Sequence, residues 1–291
     1  MKRAMVIDGN SLIYRVYWAT FKMLPYYQQH NLIPTNAVNL FTKAVLTLLQ
    51  RENYDYCFVA FDHAKHTFRS EMLDQYKANR KPMPTELFVQ LPMVHSFLDV
   101  MGIKHLSQEG FEADDLIGSY CKLMNDNQIQ VDVFSSDKDM LQLVNELTSV
   151  NLFKVGVSET VKYEPSNFPN LYFGLQPTQV VDFKAIVGDG SDNFPGIKGM
   201  GPKTAADLLK KYGSFANIYQ NLSQLSAAQA QKFIDHKASG DLCYQIATIK
   251  KDLFSTKQID EFLKGQFNEQ KFIELANQFK LPSLLKHLPK K

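Results

Sequence analysis

AMVID (4–8), CFVAFD (57–62) and VDVFSSDKD (131–139) share one pattern, a short β-prone apolar run that ends in aspartate. Helix-period stretches lie between them. In ELFVQLPMVHSFLDVMG (86–102), Leu87, Leu91, Val94 and Leu98 form an apolar stripe that Gly102 stops. Strands alternating with amphipathic helices predict an α/β fold with a mostly parallel central sheet flanked by helices. In such a sheet the C-terminal strand ends gather on one edge, where ligands bind. Asp8, Asp62, Asp137 and Asp139 are therefore expected to converge. One aspartate after a strand is ordinarily a turn residue or a helix cap; three such strands in one sheet ask for another reason.

The acids continue elsewhere. FEADDL (111–116) puts Glu112, Asp114 and Asp115 at a predicted helix start. The helix dipole accommodates one or two of them, but three repel one another without a cation. GDGSDN (188–193) adds Asp189 and Asp192 in a glycine-rich turn. These nine carboxylates, with no converging His or Cys, form a hard oxygen set that selects Mg²⁺ or Mn²⁺ over zinc. One Mg²⁺ takes only one or two protein carboxylates, so nine predict at least two ions. Paired divalent ions serve in-line displacement at phosphorus, which points to phosphodiester hydrolysis.

Composition frames that reading. The 291 residues carry 32 Lys+Arg against 30 Asp+Glu, a net charge of only +2. Setting the nine acids aside leaves 21 against 32, so the remainder carries +11, a basic surround for a polyanion. At 45% hydrophobic the chain is no disordered protein, and its length suits two domains. A soft boundary falls near residue 170, with an α/β part over 1–170 and a mostly helical part over 171–291. Cys57, Cys121 and Cys243 have no ligand spacing and read as buried thiols in a reducing compartment. No stretch reads as a signal peptide or a membrane span, so a cytoplasmic protein is expected.

Two further segments face nucleic acid in this reading. HAKHTFRSEMLDQYKANRKPMP (63–84) carries Lys65, Arg69, Lys77, Arg80 and Lys81 against Glu71 and Asp74, with Phe68 and Tyr76 interleaved. Charges for phosphates and rings for bases suit a single strand; a solvated helical face is the plainer alternative. GIKGMGPKTAADLLKKYG (196–213) reads as a glycine hairpin opening into a helix, after the helical pattern PTQVVDFKAIVG. Gly199 and Gly201 would let backbone N–H groups reach a phosphate, with charge from Lys198 and Lys203. The tail KLPSLLKHLPKK (280–291) holds five basic groups counting His287, and no acid.

VIDGNSLIYRVYWA, FVAFD, TFRSEMLDQYKANR, QEGFEADDLIG, SSDKDMLQLV and VGDGSDNFPGIKGMGPKTAADLL run in that order from residue 6 to about 209, and FIELANQFKLPSLL follows like a closing helix. In this the chain resembles the bacterial 5′-nuclease family, which includes the 5′→3′ exonuclease domain of DNA polymerase I and the flap endonucleases. The resemblance implies a PIN-like core, a helical arch over about 63–95 and a helix–hairpin–helix over about 177–213. It implies metal-dependent cleavage of DNA near the 5′ end of a duplex, flap or nick, in primer removal and repair. Carried over by position, Asp8, Asp62, Glu112, Asp114 and Asp115 would serve a first metal, and Asp137, Asp139, Asp189 and Asp192 a second. Lys77 and Arg80 would act at the scissile phosphate, and Tyr76 would stack on a base. Arg15, Arg69 and Lys81 would hold other phosphates. Lys198, Gly199, Gly201, Lys203 and Thr204 would bind duplex, with a K⁺ ion possible there.

Ser136 and Trp18 depart from the family's usual Gly and Phe or Tyr. A free-standing monomer without polymerase or proofreading domains is expected. His63 and His66 are taken as arch surface. Two rivals remain: a catalytically dead DNA-junction binder and a toxin-type ribonuclease on a related fold.

Overall fold

The computed structural model describes residues 2–63, 66–157 and 159–288, so Lys65 of the basic segment and Lys290 and Lys291 of the tail lie outside it. The aspartate-tipped runs become neighbouring strands. They are β1 (Arg3–Asp8), β2 (Tyr56–Ala60) and, after β3 (Lys104–Leu106), β4 (Gln130–Ser135). With β5 (Thr148–Val155) and β6 (Glu159–Tyr163) they make a six-stranded sheet in the order β3-β2-β1-β4-β5-β6. All neighbours pair in parallel except β5 and β6. Asp8 stands level with Ala60 and Ile7 with Phe134, so the chain leaves β1, β2 and β4 at one edge.

Successive side chains on a strand point to opposite faces. Ala4 and Val6 of β1 join a core with Phe58, Leu116, Tyr120 and Val133. Met5 and Ile7 join the opposite one with Val16, Phe41, Val45 and Phe97. Burial on both faces explains why β1 reads as an unbroken apolar run. Strands β3, β5 and β6 escaped the sequence pattern. β3 is three residues long, and β5 interrupts its apolar run with Ser149 and Asn151. Those polar groups are satisfied only in three dimensions: the Ser149 hydroxyl donates to Asp132 (2.7 Å) and the Asn151 amide to the Val133 carbonyl (3.4 Å).

The single helix expected over 86–102 is two, Thr85–Phe88 and Leu91–Val100. Gln90 at the break is buried, and its Oε1 accepts from the Ala37 (2.9 Å) and Val38 (3.2 Å) amides, which start the helix Asn36–Leu49. Pro92 then restarts the helix, as proline does in a first turn. The expected arch is likewise helical only in pieces. Phe68–Met72 and Thr85–Phe88 flank a run of turns.

After β6 every described element is helical. Val180–Val187 and Pro202–Tyr212 flank the glycine-rich connection, and Gly213 follows with φ +87°. A Cβ at Gly196 would sit 2.4 Å from the Gly188 nitrogen, so these two turns touch because neither residue has a side chain. The chain then returns to the first layer: Phe272 of the helix Glu269–Gln278 packs edge-on against Phe97, centroids 5.2 Å apart. Among the described residues no helix is long and apolar enough to cross a membrane.

Candidate active site

The sheet edge where β1, β2 and β4 end opens into a cleft of about 780 Å³. Asp8, Asp62, Asp114, Asp137, Asp139 and Asp189 line it. Asp8 ends β1 and caps the helix Gly9–Ala19: Oδ1 accepts from the Ser11 amide (2.9 Å) and Oδ2 from the Ser135 hydroxyl (2.7 Å). The Ser135 oxygen in turn accepts from the Asp137 amide (2.9 Å), so one hydroxyl spans two acids from different strands. Asp62 accepts from the Ala113 amide (2.8 Å) at the start of the helix Ala113–Asp126, while its own amide donates to Asn10 (3.0 Å). Asp114 lies in that helix's first turn.

The other acids hold cations. Lys184 pairs with Asp139 and, at 2.8 Å, with Asp189. Arg80 pairs with Asp192, and Lys77 with Glu112 at 2.7 Å. Asp115 is fully buried beneath a two-pronged bond from Arg69 (2.7 and 2.8 Å), and it also accepts from the Lys250 amide (2.9 Å). Glu112 also accepts from Arg69 (3.2 Å) and from the Tyr76 hydroxyl (3.0 Å).

This division sets the electrostatics. Burial pushes Asp8 up to about 7 against the bonds from Ser11 and Ser135, and the charges of Asp62 and Asp137 add to the rise. Burial also lifts Asp114 well above the usual carboxylate range, with Asp137 and Asp8 adding to it. Burial works the same way on Asp189, but Lys184 and Ser191 outweigh it and hold that acid at about 2.

Three expected roles need correction. Arg69 is 2% exposed, and it spends its remaining donors on the Ile246 (2.8 Å) and Thr248 (3.1 Å) carbonyls. It ties the helix Phe68–Met72 to the C-terminal helices and has no face left for a DNA phosphate. Tyr76 is buried with its hydroxyl on Glu112, so its ring is not available to a base. Asp115 faces Arg69 rather than the cleft, so it anchors the fold instead of offering a metal a free oxygen. Arg15 does line the cleft, yet it is bonded to the Gly156 (2.6 Å) and Lys154 (2.8 Å) carbonyls. Lys77 and Arg80 line the cleft, while Lys81, Lys198, Gly199, Gly201 and Lys203 are exposed and Thr204 half-buried. The Gly199 carbonyl accepts from Lys232 (3.0 Å).

Lys184 and Ser135 were missed in the sequence. A lysine inside VVDFKAIV, a segment apolar but for it and Asp182, five residues before Asp189, was the available signal for the first. Among the described residues no group of three or more His, Cys, Asp or Glu side chains is gathered tightly around one point as a bound ion would gather them. The donor chemistry nevertheless fits a hard divalent cation. Among the described residues, four carboxylates without an ion-pair partner share a cleft with no histidine or cysteine lining it, and burial, with nearby acids, disfavours charge on Asp8 and Asp114.

Comparison with known proteins gives the lineage. Residues 3–172 match the family model of the 5′-3′ exonuclease N-terminal resolvase-like domain, and 175–270 that of the 5′-3′ exonuclease C-terminal SAM fold. A 5′-3′ exonuclease of Mycoplasma pneumoniae is 41% identical over 98% of both chains. DNA polymerase I of Caldicellulosiruptor bescii is 36% identical over 98% of this chain, which spans 33% of that longer protein. The solved structure of T5 5′-exonuclease with divalent zinc ions superposes with a TM-score of 0.69 at 18% identity, over 98% of this chain and 99% of that one. That last likeness speaks for the fold. With family models across both its halves and an exonuclease relative matching end to end, the chain belongs to the 5′-3′ exonuclease family.

Proposed function

We propose that this protein is a 5′→3′ exonuclease and 5′-flap endonuclease that hydrolyses DNA phosphodiesters with two divalent ions, Mg²⁺ or Mn²⁺. The observation that carries the reading is the set of four carboxylates, Asp8, Asp62, Asp114 and Asp137, that hold no cation among the described residues and line the cleft at one edge of the sheet. These four would hold the metal ions, with Asp139, Asp189, Asp192 and Glu112 joining as they exchange lysine and arginine partners for metal. Bound ions of this kind supply Lewis acidity and a nucleophile at neutral pH.

The chain's own groups do the positioning. Ser135 and Ser11 orient Asp8, and Asn10 fixes the backbone that carries Asp62. Lys77 and Arg80 stand in the cleft wall beside the acids, where a scissile phosphate would draw them off Glu112 and Asp192. Lys198, Gly199, Gly201, Lys203 and Thr204 would grip duplex backbone at the start of the helix Pro202–Tyr212, with Lys81 on the arch side. A K⁺ ion at that hairpin, action on RNA primers, a monomeric state and a cytoplasmic location belong to the same proposal. So does the division into a catalytic part over 1–170 and a duplex-binding part over 171–291.

The test is cleavage of a 5′-end-labelled flapped duplex in Mg²⁺, with EDTA and Asp137→Ala controls. Short labelled products only from wild type with Mg²⁺ are expected, and their lengths separate flap release from stepwise trimming. Tight flap binding without cleavage would move the assignment to a junction binder.

A further inference from the structure

At the rim of the cleft, one aromatic residue occupies the backbone region least suited to it. Phe173 has φ +52°, in the left-handed region that bulky side chains avoid. It ends the short helix Phe168–Leu171, where glycine or asparagine would make the same turn without strain. The turn is secured by its backbone, with the Gly174 amide on the Pro169 carbonyl (2.8 Å) and the Leu175 amide on that of Tyr172 (2.9 Å). Nothing in that hydrogen bonding calls for a phenyl ring.

The ring's surroundings supply a reason. Phe173 is stacked on Phe183, centroids 5.0 Å apart and planes 23° from parallel. Phe183 is buried, yet Phe173 remains 51% exposed, and both line the cleft. The residue after Phe183 is Lys184, which holds Asp139 and Asp189. A flat ring, backed by a second ring and open on the cleft side, thus stands beside the acids. A bulky residue kept in a strained conformation at a cleft mouth is a mark of function rather than of folding.

We infer that Phe173 is a stacking post for an unpaired nucleobase of the strand whose phosphate meets the carboxylates, an inference that rests on the nuclease reading above. A base placed on Phe173 extends the Phe173–Phe183 stack by one layer. Such stacking tolerates any sequence, because every base offers a π-face. The exposed Phe173 ring shares its cleft with Lys77, Arg80 and Lys138, so a base that brings its own phosphate is the occupant these surroundings favour.

The test uses the full chain and 5′-flapped duplexes carrying one 2-aminopurine at successive positions around the junction, titrated in EDTA. Phe173→Asn suits the left-handed turn but has no ring, Phe173→Leu keeps apolar bulk without a π-face, and Phe173→Trp keeps the face. Wild type should quench 2-aminopurine at one or two adjacent unpaired positions. Asn and Leu should lose that quench and bind the flap roughly tenfold more weakly. Trp should retain both, and Phe173→Asn should melt no lower than wild type. Retained quench and affinity in Phe173→Asn would overturn the inference, as would Leu performing as well as Trp. Wild type that neither binds nor cuts any flapped duplex would sink the nuclease reading itself, a result separate from these.

Discussion

Two groups of acids stand within one site and live under opposite physics. Asp8, Asp62, Asp114 and Asp137 come from strand ends and one helix start, and among the described residues none is in an ion pair. Glu112, Asp115, Asp139, Asp189 and Asp192 each hold a lysine or arginine. Burial pushes both Asp8 and Asp189 upward; Asp8, the more deeply buried, stays at about 7, while Lys184 and Ser191 bring Asp189 down to about 2. Asp114 and Asp115 are adjacent in sequence, yet one faces the cleft and the other a buried guanidinium. Adjacent acids on a helix point in different directions, so composition alone does not reveal which is free.

The largest effect should come from the cation-free group. Asp114→Ala is expected to cut flap cleavage by about a thousandfold or more, with protein melting unimpaired in EDTA. Steady-state cleavage paired with a thermal melt checks both halves; an active Asp114→Ala would dissolve the distinction between the groups.

Next comes the paired group. Arg69→Met leaves Asp115 buried and charged without its partner, which should cost about 3–5 kcal/mol in urea unfolding. Adding Asp115→Leu should return part of that loss, because the uncompensated charge is then gone. If the single substitution is neutral, Arg69 is not the tie between the helix Phe68–Met72 and the C-terminal helices.

The pH profile in chelator sharpens the comparison further. Folded Asp8 keeps its proton up to about 7 while the unfolded chain releases it near 3.8. The folded state therefore binds more protons between these values, and this acid lowers stability as pH rises through the window. Asp189 runs the other way. Its contribution is present above 3.8 and is lost as pH falls through about 2. Asp8→Asn should flatten the upper slope and Asp189→Asn the lower one, read by urea unfolding across pH in EDTA. A single slope removed equally by both would mean the groups titrate as one.

The smallest effect lies outside both groups. Lys203→Ala, exposed at the start of its helix, should weaken duplex binding uniformly across sequences and reduce the salt slope by about one. An unchanged slope would remove Lys203 from the proposed duplex contact.

The carboxylate set was legible because its logic is local. A β-prone run that ends in aspartate announces a strand end, and parallel pairing of β1, β2 and β4 brings those ends together. The misplaced residues share the opposite cause. Arg69 and Tyr76 read as part of a basic, aromatic face for DNA, yet Arg69 reaches Asp115 and Tyr76 reaches Glu112, both in another segment. Ser135 looked like a residue between a strand and DKD until β1 and β4 paired and set its hydroxyl on Asp8. Strand β5 was hidden because its polar positions find partners only on β4.

By itself, then, the sequence determined the α/β class and the list of acids, since these follow from periodicity and from residue types at short range, while the family came from the resemblance of its motifs. Only the tertiary structure decided which acids are free and which are neutralised, and that Arg69 is a buried tie. An ion pair depends on distance and burial, and both arise between residues far apart along the chain. Arg80 and Asp192, separated by 112 positions, meet only because the fold brings the turns after the helix Phe68–Met72 against the glycine-rich turn.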